Sequence, residues 1–179
     1  MKSKKLLSII LALAMMFSVL PASTVLVYAD EITETISADT TWNDGDTVGG
    51  VTISGGTVTI NGDVSITAAI TIKGDVTFTG GGTLNRMSTS GNLIKVESGS
   101  LTLGNVTIDG NDVIISDSGA VAAINMADGT VIMNDGAKIT NHKRTSGYGP
   151  AVYMAGGNFK MKGGTISGCE SRNYGGAIY

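Results

Sequence analysis

The side chains able to carry chemistry are few in this chain, and most stand apart from one another. His142, the one histidine, lies between Asn141 and Lys143. With no Cys, Asp or Glu at ligand spacing it makes no metal site, and a solvated corner histidine is the reading its neighbours favour. Cys169, the one cysteine, has no partner for an internal disulfide and fits a quiet, partly buried thiol beside Ile166-Ser167-Gly168. Asp109 and Asp112 are spaced as paired carboxylates could be. General acid–base work needs two groups within reach of one substrate, and glycoside hydrolysis needs its carboxyls about 5–9.5 Å apart. Yet Asp109-Gly110-Asn111-Asp112 is also an ordinary turn sequence, and it is read as a turn. Asn43-Asp44-Gly45-Asp46 is another turn, without the ligand spacing or closing Glu of a calcium loop. The glycine pairs precede no helix that could hold a phosphate. Neither a catalytic residue, a metal site nor a cofactor is expected.

The tyrosines are the candidate ligand-binding residues. Tyr148-Gly149-Pro150-Ala151-Val152-Tyr153 recurs as Tyr174-Gly175-Gly176-Ala177-Ile178-Tyr179. Aromatic faces at sheet spacing stack on sugar rings or anchor a protein partner. Without a ligand, the same rings would simply stabilise a sheet surface.

A repeat must position them. Ile94-Lys95-Val96, Leu101-Thr102-Leu103 and Val106-Thr107-Ile108 form one unit. Ile124 to Met126, Val131 to Met133 and Ala137 to Ile139 form the next, and Val152 to Met154, Phe159 to Met161 and Thr165-Ile166 a third. Apolar residues two apart place alternate side chains on opposite faces of a strand. Self-similarity at this period marks a solenoid. The expected fold is all-β: a right-handed parallel β-helix with three short strands per coil, stacking Ile94, Ile124 and Val152 in one column and Leu103, Met133 and Met161 in another. Parallel crossovers are overwhelmingly right-handed. An antiparallel sandwich or barrel is the competing architecture.

Ahead of these units, Val51 to Ile53, Val58 to Ile60, Val64 to Ile66, Ile70 to Ile72 and Val76 to Phe78 read as five strands separated by glycine corners. Residues 30–46 read as a cap, closed by Trp42, over the repeats of 47–179. Arg86 to Asn92 reads as a loop, and 111–119 and 141–149 read as long corners. Lys95, Asn125, Tyr153 and Tyr179 fall on one outward column. The final unit would leave Phe159, Met161 and Ile166 without an upper neighbour, so a longer protein, or self-association through that face, is expected.

Residues 1–29 read as a secretory signal peptide. Lys2, Lys4 and Lys5 precede an apolar run from Leu6 to Leu20, and Val27-Tyr28-Ala29 suits cleavage before Asp30. Its removal would leave nine basic against fifteen acidic groups, a net charge of −6. Such a balance argues against nucleic-acid partners and anionic membranes. A secreted, cell-surface location is expected.

The repeat Tyr174-Gly175-Gly176-Ala177-Ile178-Tyr179, preceded by Gly163-Gly164-Thr165-Ile166-Ser167-Gly168, resembles those of bacterial surface proteins in the right-handed parallel β-helix, pectate-lyase-like superfamily. Gly175-Gly176-Ala177-Ile178 also resembles a tetrapeptide of polymorphic outer-membrane autotransporter adhesins. Their companion Phe-x-x-Asn is replaced by Phe159-Lys160-Met161-Lys162. The resemblance implies an exported, non-enzymatic surface protein in contact with carbohydrate or another surface protein. The alternatives are the N-terminal part of a polysaccharide-degrading enzyme, or a purely structural stalk. The Asn-Thr-Asp, Asp-Asp, Gly-His-Gly and Arg-Ile-Lys blocks of the family's hydrolases are absent from this sequence.

Overall fold

The computed structural model describes residues 31–172 and 176–179. Every regular element among them is a β-strand, and every ladder between strands is parallel. That pairing excludes the antiparallel sandwich. The signal peptide expected over 1–29 and the candidate Tyr174 lie outside the described residues.

The chain opens with β1 (Thr35–Ile36), β2 (Thr40–Asn43) and β3 (Thr47–Val48). The long strands β4 (Thr52–Asn61) and β6 (Ile70–Thr79) enclose β5 (Asp63–Ile66), and β7 (Thr83–Arg86) follows. One tier then holds β8 (Ile94–Val96), β9 (Ser100–Leu103), β10 (Thr107–Asp109) and β11 (Ile114–Ile115). The next holds β12 (Ile124–Met126), β13 (Thr130–Met133), β14 (Lys138–Thr140) and β15 (Lys143–Arg144). A third holds β16 (Val152–Met154), β17 (Asn158–Met161), β18 (Thr165–Ser167) and β19 (Glu170–Ser171).

Equivalent strands of successive tiers pair one to one, in the expected registers. Ile94 lies opposite Ile124 and Ile124 opposite Val152. Leu103 lies opposite Met133 and Met133 opposite Met161. Ile108, Ile139 and Ile166 continue the pattern in a second sheet ordered β18-β14-β10-β7-β5-β3. The alternation of apolar and polar residues fixes this register, because a one-residue slip would turn every apolar side chain to solvent. Ile94, Val96, Leu101, Leu103, Ile124, Val131 and Met133 are all fully buried, each stabilising the stack by roughly 1.5–3 kcal/mol.

Two features depart from the sequence expectation. First, Gly55-Gly56 and Gly74-Asp75 are bends within the continuous strands β4 and β6, with a register shift between Ile53 and Gly55. Gly56, at φ 96°, permits the bend; a Cβ there would come within 2.7 Å of the Ala38 carbonyl carbon. The bent β6 pairs its first half with β8 and its second with β9, so the large sheet divides into two arms at this strand. Second, the long corners are not irregular throughout. β11, β15 and β19 form a third, three-stranded sheet, adding a fourth strand to each of the last three tiers.

Trp42 is 1% exposed, with its ring centroid 6.0 Å from that of Phe78. It belongs to the core beneath the 31–46 segment and offers no face to a ligand.

Candidate functional site

The outward column along β8, β12 and β16 places Lys95 beside Asn125 and Asn125 beside Tyr153. A parallel bridge between Val152 and Ile178 brings the chain end alongside, so Tyr179 falls next to Tyr153. Those two rings are stacked, with centroids 5.8 Å apart and planes inclined by 12°. Tyr148 approaches Tyr179 from the preceding corner at 4.5 Å and 31°. Tyr179 is 51% exposed, while Tyr148 and Tyr153 are half-buried. Three of the four tyrosines singled out in the sequence therefore form one aromatic ledge. Tyr148 reaches it through Tyr179, across the seam between corner and sheet.

A buried guanidinium holds that corner. Arg144, at the end of β15, turns inward, and its Nη1 donates to the carbonyls of Tyr148 (2.8 Å) and Val121. Its Nη2 donates to the carbonyls of Asp117 (2.8 Å) and Gly119 (3.1 Å). One side chain thus ties the Tyr148 corner to the equivalent corner one tier below. Gly147, at φ 93°, lies over this guanidinium, and any Cβ there would strike Arg144 Nη2. Burial lowers the Arg144 pKa, and the nearby Asp117 carboxylate opposes the shift.

Arg86 does the same work one corner away. The sequence reading made it the first residue of a loop. In the structure it is the last residue of β7 and 1% exposed. It donates to the carbonyls of Gly91 (3.0 Å), Ser88 (3.4 Å) and Ala122 (3.3 Å), while Asp117 Oδ2 accepts from Gly91 N at 2.7 Å. Burial, reinforced by the charge of Arg144, pushes its pKa down to about 10.

His142 is a correction. It is not a solvated corner residue but 1% exposed. Asn141, in the left-handed region at φ 59°, turns the chain so that the imidazole faces inward. Its Nε2 lies 3.3 Å from the Ile108 carbonyl, whereas Nδ1 is buried without a partner. Burial first, and Arg86 second, push its pKa down to about 3.

Asp109 is committed to its own turn and the next tier. It accepts from Asn111 N at 2.6 Å, from Thr140 Oγ1 at 3.2 Å and from Asn141 Nδ2. Asp112 pairs instead with Lys143 at 2.9 Å. The Cys169 thiol is half-buried, 3.4 Å from the Ser167 carbonyl, and burial raises its pKa. Among the described residues, no group of three or more His, Cys, Asp or Glu side chains is placed to hold a metal ion. Comparison with protein-family models, with curated proteins and with solved structures finds no match to this chain.

Proposed function

We propose that the stacked tiers are those of a right-handed parallel β-helix in an exported protein, which holds its tyrosine ledge outward to contact carbohydrate or the surface of another protein. The right hand follows from the chirality of parallel crossovers. The observation that carries the binding role is the ledge itself, where Tyr148, Tyr153 and Tyr179 lie within 4.5–5.8 Å of a ring neighbour and Tyr179 is half open to solvent. Such faces bury large area with little loss of rotamer entropy, which suits them to sugar rings and protein anchors alike. Asp109 and Asp112 are engaged with different partners, Thr140 and Asn141 for one and Lys143 for the other, in keeping with the turn reading of that segment; the alternative of an N-terminal part of a polysaccharide-degrading enzyme does not depend on them.

Titration calorimetry of the exported chain against a panel of neutral oligosaccharides tests the reading. Binding should weaken by about tenfold in Tyr153→Ala and in Tyr179→Ala, the loss of one good aromatic contact of about 1.5 kcal/mol. Oligosaccharide binding that both variants retain would remove the ledge from the site. No binding to any sugar would leave a protein partner or a plain stalk.

A further inference from the structure

The third sheet builds a second site, on different residues and by different chemistry. Strand pairing sets Lys143 opposite Glu170 and Arg144 opposite Ser171, and the chain continues from Ser171 into Arg172. These residues, with Ile114 and Thr145, line a groove of about 170 Å³. Lys143 and Arg144 are adjacent in sequence, but Arg172 lies 28 positions beyond Arg144. Only the fold brings the three cations to one concavity.

The cations of this region are not all held in ion pairs. Arg144 and Arg86 spend their hydrogen bonds on neutral backbone carbonyls, and neither has a carboxylate within ion-pair distance. The Nε of each is buried with no partner. Asp117 is the nearby acid that faces both guanidiniums, at a distance beyond an ion pair. On the rim, Glu170 opposes Lys143 and Arg172. Lys143 is held by Asp112 in an exposed pair that water screens and an incoming anion can replace. The Arg172 guanidinium makes no hydrogen bond or ion pair with any described residue. A cation left unpaired in a wall of low dielectric draws anions into the cleft beside it.

We propose that this groove is an oxyanion subsite that takes a phosphate or sulfate group. Donors line the groove from two sides, Lys143 and Thr145 at and just past β15 and Arg172 just past β19. A tetrahedral anion can accept from both sides, whereas a planar carboxylate is filled by a single guanidinium fork. The volume is far above the roughly 10–15 Å³ that one water needs on the same measure, so the group can arrive on a small molecule or a polymer as well as free.

Titration calorimetry of the exported chain with inorganic phosphate, inorganic sulfate, a sugar monophosphate and acetate is the test. Saturable binding of the tetrahedral anions, with acetate silent, is expected. A tighter sugar monophosphate would identify a carried group, and equal affinities a free ion; either outcome supports the subsite. Combining Lys143→Gln with Arg172→Gln, both at solvent-accessible positions, should cost at least about tenfold in affinity with the ligand-free melting temperature unchanged. Tyr153→Ala should leave this binding intact, which keeps the subsite separate from the ledge. The proposal is overturned by the absence of saturable heat for every anion, by acetate binding as well as sulfate, or by undiminished affinity in the double variant.

Discussion

Acid should loosen this fold through His142. The neutral ring carries its proton on Nε2, the nitrogen that meets the Ile108 carbonyl, and its buried Nδ1 faces no donor or acceptor. Protonating Nδ1 would bury a charge within reach of the Arg86 guanidinium, so the folded pKa falls to about 3 from an ordinary 6.5. The folded chain therefore binds one proton fewer than the unfolded chain between those values. Its stability is complete above about pH 6.5 and falls as pH drops, by up to about 1.4 kcal/mol per pH unit. Between about pH 6 and about pH 4 the loss attributable to this one ring is about 2.5 kcal/mol. Urea unfolding followed by circular dichroism at those two pH values measures it, with His142→Gln as the reference. Glutamine keeps an N–H for the Ile108 carbonyl but does not titrate here, and carboxylate contributions are common to both proteins. The wild type should lose about 2.5 kcal/mol more than the variant over this interval. The same pH dependence in both would refute the burial argument.

Other perturbations test other parts of the structure. Met133→Asp places a charge at a fully buried position, paired with buried Leu103 on one side and half-exposed Met161 on the other, and cooperative unfolding and the β-type dichroism should be lost; a native melting temperature would show that this register is wrong. Gly80→Ala must take φ 110° and press its Cβ to 2.7 Å from Ile60 N, which should lower unfolding free energy by about 2 kcal/mol or more in a denaturant titration. Cys169, whose pKa burial raises, should be alkylated by iodoacetamide far more slowly in the folded chain than in urea, and equal rates would contradict its placement. Mass spectrometry of secreted material should find a chain beginning at Asp30, and an intact Met1 would count against the signal peptide.

The stacking registers were legible because alternation repeats: Ile94, Ile124 and Val152 sit in equivalent places of near-equal units, and β pairing preserves that equivalence. Much of the tyrosine ledge followed from the same logic, since Tyr153 inherits the outward position of Lys95 and Asn125. The third sheet was hidden because its strands, such as Lys143–Arg144, are two residues long, too short for any period. Arg86 and His142 were misplaced, and the inward turn of Arg144 had no sign in the sequence, for a deeper reason. Polarity marks a residue as outward only when nothing inside can satisfy it. The carbonyls that satisfy Arg144 lie 23 to 27 residues earlier, as well as four residues later. No local pattern announces that meeting.

The two buried guanidiniums also bear on how such a chain can change over generations. Where ladders run, each carbonyl is matched by the tier beside it, and an inserted residue would break that match. At the corners, Arg86 and Arg144 offer flexible, multi-pronged donors to seven carbonyls drawn from loops of unlike length. A loop gaining or losing a residue there has only to return an oxygen to the guanidinium's neighbourhood, leaving the strands on either side undisturbed. The corners carrying Tyr148 and the rim of the oxyanion groove are thus places where mutation can explore new loop shapes while the stack beneath keeps its register.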